Sequence, residues 1–115
     1  MDLKVNQGKQ KVICDEALRR IEEIHQLSRQ YNGKVSGGHQ GKLLELMRHH
    51  IDEIEELAQA GNQHFLIETG DLLVLCFELL LENKADVNDV LGECFGRYER
   101  KLNSLLLRRA TLAQD

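Results

Sequence analysis

Phe65-Leu66-Ile67-Glu68-Thr69-Gly70-Asp71-Leu72-Leu73-Val74-Leu75-Cys76-Phe77-Glu78-Leu79-Leu80-Leu81 is the stretch on which the fold turns. Its apolar runs, Leu72–Phe77 and then Leu79–Leu81 after Glu78, fall far short of the ~20 residues needed to span a bilayer. Drawn as a helix it is apolar on nearly every side, so roughly His64–Glu82 is expected to be the central, most buried helix. Proline is absent and aromatic residues make up only 4%, which favours helices over a sheet rich in β-branched and aromatic side chains.

Upstream, roughly Lys42–Ala60 places Leu43, Met47, His50, Ile51, Ile54, Leu57 and Ala58 on one stripe and ends near Gly61-Asn62. Before it, Asn32-Gly33-Lys34-Val35-Ser36-Gly37-Gly38-His39-Gln40-Gly41 is expected to be a mobile loop, either a lid or a plain connector. An amphipathic helix over roughly Gln10–Gln30 precedes the loop, with Ile13, Ala17, Leu18, Ile21, Ile24 and Leu27 or Ser28 at three- and four-residue spacing. Downstream, Asp86 reads as the N-cap of a last helix carrying Val87, Val90, Leu91, Cys94, Phe95, Tyr98, Leu102, Leu105 and Leu106 on its inner face. Four helices predict an all-α four-helix bundle over a single domain, 1–115, with residues 1–9 frayed.

Hydrophobic residues at 42% and charged residues at 30% are those of a globular chain rather than a disordered one. With 15 basic and 19 acidic side chains and a net charge of −4, no sequence-wide basic field favours a nucleic-acid polymer or an anionic membrane. Cys14, Cys76 and Cys94 are odd in number, widely spaced and set among apolar neighbours, which points to packing roles in a reduced, cytoplasmic protein.

The acids on the apolar stretch need an explanation. At ~100° per residue Glu68, Asp71, Glu78 and Glu82 fall within one sector of ~80°, interrupted by Leu75. An ionised carboxylate left unpaired in low dielectric costs several kcal/mol, so something must compensate these four. On the preceding helix Glu53 and Glu56 border the apolar stripe, together with Lys42 and His49. Antiparallel packing through the short Gly61-Asn62 connection would let Glu53 and Glu56 face Glu68 and Asp71. Converging carboxylates repel unless a divalent cation reverses the balance, and an all-oxygen set suits Mg²⁺ or Mn²⁺ better than zinc. The plain alternative is that these acids lie on solvated faces and pair with lysine or arginine.

Asp52-Glu53-Ile54-Glu55-Glu56, followed by Glu68-Thr69-Gly70-Asp71-Leu72-Leu73, resembles the E-E-x-x-E then E-x-x-D signature of MazG-like all-α nucleotide pyrophosphohydrolases. The resemblance covers roughly 42–106, including the helix order and a final helix with Arg97 and Lys101. It implies a Mg²⁺-dependent enzyme that cleaves a nucleoside triphosphate between its α and β phosphates, giving the monophosphate and pyrophosphate. It also implies a homodimer or homotetramer, metal ligands at Glu53, Glu56, Glu68 and Asp71, and catalytic roles for Asp52, Glu53 and Glu56. Asp52 stands where the family carries glutamate, one methylene longer, and no tryptophan is present to read a base. Independently of that resemblance, Lys42, His49, Arg97 and Lys101 are candidate phosphate contacts, Arg108 sharing the side of Arg97 and Lys101 on the last helix.

Other features carry less. Gly37-Gly38-His39-Gln40-Gly41-Lys42-Leu43 is one residue short of a P-loop and has leucine at the Ser/Thr position. Glu22-x-x-His25 is a single copy of a spacing that di-iron bundles use twice, so His25 reads as an ordinary helix-face residue and His50 as a satisfied core histidine. Gly70, Gly92 and Gly96 suggest close approach of another helix or subunit. The competing function is a non-catalytic helical interaction module whose acids are remnants of a metal site.

Overall fold

A computed structural model describes residues 11–33 and 38–114 of the chain, and every described element is helical. The helices are α1 (Asp15–Asn32), α2 (Gly38–Gln59), α3 (Phe65–Glu82) and α4 (Val87–Gln114). Two compact units divide the chain: Cys14–Asp86 holds α1 to α3, and Val87–Asp115 is joined by the described residues 11–13.

In the first unit α3 is the element against which both α1 and α2 pack. The α2–α3 connection closes on a Schellman motif: the Asn62 N–H donates to the Leu57 carbonyl at 2.9 Å and the Gly61 N–H to that of Ala58 at 3.1 Å. Gly61 takes the required left-handed conformation with φ of 72°. The end of α3 repeats the device, with Ala85 donating to Leu80 and Lys84 to Leu81, both at 3.0 Å. Here a lysine, Lys84, occupies the left-handed position with φ of 57°.

α2 begins at Gly38, so Gly38, His39, Gln40 and Gly41 belong to a helix and not to the expected loop; residues 34–37 of that loop lie outside the described residues. The reason is tertiary: His39 and Leu43, four residues apart, are both buried against neighbouring helices, which outweighs the glycines' low helix propensity. The proposed fraying of 1–9 likewise lies outside the described residues.

α3 is less buried than its composition predicts. Leu75 and Glu78 are its only buried residues, while Leu66, Ile67 and Leu73 are each more than half exposed. The unit's buried side chains are Leu43, Leu75 and four polar ones, His25, Asn32, His39 and Glu78. His25 is therefore no ordinary helix-face residue. A Cβ added at Gly70 would meet nothing within 4 Å, so the close approach expected there does not occur within the chain.

The second unit is the long helix α4, which starts directly after Asp86. The Asn88 side-chain carbonyl accepts from the backbone N–H groups of Val12 and Ile13 at 2.7 and 2.9 Å, holding that segment to the first turn of α4. Val87 is buried and Val90, Leu91 and Cys94 are half-buried, as expected of an inner face. The rest of that predicted face is solvent-exposed: Phe95, Tyr98, Leu102, Leu105 and Leu106 are all 45% exposed or more. Leu91, Phe95, Tyr98, Leu102, Leu105, Arg109 and Leu112 alternate in steps of four and three, the spacing of a coiled-coil seam. Gly92 has open space around it, and a Cβ at Gly96 would meet only the Arg100 side chain at 3.3 Å.

Candidate metal-binding site

Each of the four acids of α3 has a histidine nitrogen within 4 Å. Glu68 and Asp71 lie one turn apart near the start of α3, and the tight Gly61 turn brings α2 back so that His50 stands opposite them. His50 Nε2 is 3.4 Å from Glu68 Oε1 and 3.9 Å from Asp71 Oδ2. Its Nδ1 is 2.9 Å from the Leu46 carbonyl, an acceptor, so Nδ1 carries a proton. A neutral ring then points a lone pair from Nε2 at two carboxylates, and a proton or a cation is needed between them. From the other side His64 Nε2 approaches Glu68 Oε2 at 3.4 Å. Glu68 is well covered, with 14% side-chain exposure, whereas Asp71 opens to solvent.

His50, Glu68 and Asp71 offer three ligand atoms within 4.8 Å of one another, one of two such groups among the described residues. Two carboxylates and an imidazole whose far nitrogen is fixed by a backbone carbonyl form a donor set that fits a divalent ion with open positions for water. His50 is thus a polar partner of the acids and not a core histidine. Its register was available in the sequence: with the turn at Gly61, His50 mirrors Asp71 across an antiparallel pair.

The remaining sequence candidates are placed separately. Glu53, Glu56 and Asp52 are exposed on α2 and belong to neither group. His49 is exposed, and Lys42 is engaged with Glu45 at 2.9 Å. That hydrogen bond, with the charge of Lys42, holds the Glu45 carboxyl below its ordinary value. Arg97 and Lys101 are exposed on α4, where with Tyr98 and Arg100 they line a shallow pocket of ≈ 350 Å³. Lys101 Nζ lies 6.0 Å from the centre of the Tyr98 ring. Arg108 borders a separate apolar hollow with Leu107 and Leu112.

Glu78 and Glu82, at the far end of α3, are met by α1. His25 Nδ1 lies 3.4 Å from Glu78 Oε1, and its Nε2 lies 3.1 Å from Glu82 Oε1. Ser28 also donates to Glu78, and Arg29 Nε is 3.4 Å from Glu82. Of the three cysteines, Cys14 is exposed and Cys76 and Cys94 are half-buried, and burial raises the Cys76 thiol above its ordinary pKa.

No family model matches the chain, and neither a curated protein nor a solved structure matches it significantly. Among the described residues no helix is long and apolar enough to cross a membrane.

Proposed function

We propose that the protein is a MazG-like, Mg²⁺-dependent nucleoside triphosphate pyrophosphohydrolase. The observation that carries the reading is the convergence of Glu68 and Asp71 with His50 across the α2–α3 pair. Glu68 and Asp71 are the acids of the E-x-x-D half of the resemblance, and they fit a hard divalent ion, Mn²⁺ serving as well as Mg²⁺ because one donor is nitrogen. When bound, such an ion polarises phosphate oxygens and lowers the pKa of water.

The chain's own groups would do the rest. Glu68 is oriented from two sides by His50 and His64, which leaves it pre-positioned as a ligand. Asp71, being exposed, can adapt to an incoming phosphate. Glu53 follows His50 by three residues and so lies on the same side of α2, where its exposed carboxylate can accept a proton from an attacking water. Glu56, one turn further on, and Asp52 are also exposed, and charge-neutral variants in the same assay rank the three.

The oligomer belongs to the same proposal. The exposed α4 seam from Phe95 to Leu112 and the exposed Leu66 and Leu73 on α3 are apolar surfaces suited to a second copy of the chain in a homodimer or homotetramer. A cytoplasmic setting accords with the free cysteines. A non-catalytic interaction module would use the same apolar seam, and Mg²⁺-dependent release of pyrophosphate separates the two. The test is that release from a panel of nucleoside triphosphates, comparing wild type with Glu68→Gln and Asp71→Asn. Loss of turnover in both variants with helix content retained is the expected result.

A further inference from the structure

The other convergence of donors in the first unit is buried and has unsatisfied atoms. α1 supplies His25, the first turn of α2 supplies His39, and the last turn of α3 supplies Glu82, with ligand atoms all within 4.8 Å of one another. His25 and His39 are 8% and 9% exposed, and their rings sit 5.2 Å apart between centroids. His39 Nε2 and Glu82 Oε1 are buried without a hydrogen bond. Glu82 Oε1 does lie within ion-pair distance of His25 and Arg29, but neither contact is aligned as a hydrogen bond.

A buried polar atom without a partner costs about 1–3 kcal/mol, and here two such atoms belong to one cluster. Protonating His25 on both nitrogens would pair its charge with Glu78 and Glu82, but it would give Glu82 Oε1 no aligned hydrogen bond and would leave His39 Nε2 orphaned. A cation bound by His25 Nε2, His39 Nε2 and Glu82 Oε1 satisfies all three. The outer groups already stand where such a site needs them. Glu78 accepts from His25 Nδ1–H and is itself held by Ser28, and the Asn32 amide lies 3.2 Å from His39 Nδ1. With that amide turned to present Oδ1, His39 Nδ1 donates and its Nε2 lone pair is free.

The geometry points to a site for a divalent transition metal of the Zn²⁺ class at His25, His39 and Glu82, separate from the group on Glu68 and Asp71. Two imidazoles and one carboxylate are a zinc donor set, with the fourth position left for water, and a majority of nitrogen donors disfavours Mg²⁺ and Ca²⁺. Tetrahedral ligands at about 2.0–2.2 Å from the metal lie roughly 3.3–3.6 Å apart. The edge between His25 and Glu82, 3.1 Å, is slightly shorter than that and opens as a metal enters. The remaining edges are no longer than 4.8 Å. A cleft of ≈ 530 Å³, bordered by Glu22, His25, Arg29, Glu82 and Lys84, gives access from solvent. Arg29, with its side chain 62% exposed, can swing away from Glu82 as the metal enters. Metal bound there would tie α1, the start of α2 and the end of α3 together, independently of nucleotide turnover.

The test uses the full chain, stripped with chelator and exchanged into excess Mg²⁺, then titrated with Zn²⁺ and separately with Co²⁺. The expected result is one equivalent of zinc per chain retained through gel filtration, the visible absorption of four-coordinate Co²⁺, and a higher melting temperature. His39→Gln weakens the binding at least ~10-fold, Glu82→Gln does the same should the first variant lose its helices, and His50→Gln leaves it unchanged. Failure of the wild-type chain to retain zinc overturns the proposal. So does zinc that survives His39→Gln and is lost in His50→Gln.

Discussion

Replacing His25 with alanine, with chelator present so that no metal contributes, strikes the most enclosed histidine–carboxylate contact among the described residues of the first unit. His25 and Glu78 retain 10% and 4% side-chain exposure, so the contact has the energetics of a buried pair and not of a surface one. Removing the ring leaves the Glu78 carboxylate with Ser28 alone and Glu82 with the exposed Arg29. Stranding one member of such a pair costs about 3–5 kcal/mol, a large share of the ~5–15 kcal/mol that holds a small domain together. Urea unfolding followed by far-UV circular dichroism should therefore show a much lower midpoint, and melting roughly 12–40 °C lower. The double variant His25→Leu with Glu78→Leu removes both polar partners together and should recover most of the loss. A cost below ~1 kcal/mol for His25→Ala, or strict additivity in the double variant, would refute the view that the histidine compensates the buried acid.

Smaller effects are specified at other positions. Gly61→Ala forces a side chain into the left-handed C′ position and should destabilise by about 1–2 kcal/mol, while Lys84→Gly relieves the same conformation and should stabilise by up to ~1 kcal/mol, both read by denaturant titration. With a thiol-reactive disulfide reagent near neutral pH, exposed Cys14 should react first and Cys76, half-buried with its pKa raised by burial, should lag it. Because the folded pKa of Glu45 is depressed, its pair with Lys42 is fully present above the ordinary carboxylate pKa and is lost as pH falls through the folded value. An NMR titration should show a lowered Glu45 midpoint that returns to normal in Lys42→Ala.

The helices were legible because their apolar periods are long: α3 was expected over His64–Glu82 and spans Phe65–Glu82. The start of α2 was not, because Gly38 and Gly41 signal a loop while the burial of His39 and Leu43 that overrides them depends on the partner helices. The apolar face of α4 was legible as a face but not as to what covers it, since residues from Phe95 onward read alike whether the partner is the same chain or another. At the candidate site, the need of Glu68, Asp71, Glu78 and Glu82 for compensation was visible in the pattern. The turn at Gly61 sets the register that puts His50 opposite Asp71, whereas the meeting of His25 with Glu78 was hidden, because no short connection fixes the register of α1 against α3.

The measurement closest to the central claim is pyrophosphate release from canonical, deoxy and modified nucleoside triphosphates, with and without Mg²⁺, by wild type, Glu68→Gln and Asp71→Asn. The account predicts Mg²⁺-dependent release of pyrophosphate and the nucleoside monophosphate by wild type, a loss of at least ~100-fold in both variants, and unchanged helix content. Absence of release from every triphosphate, or full activity in both variants, would contradict it.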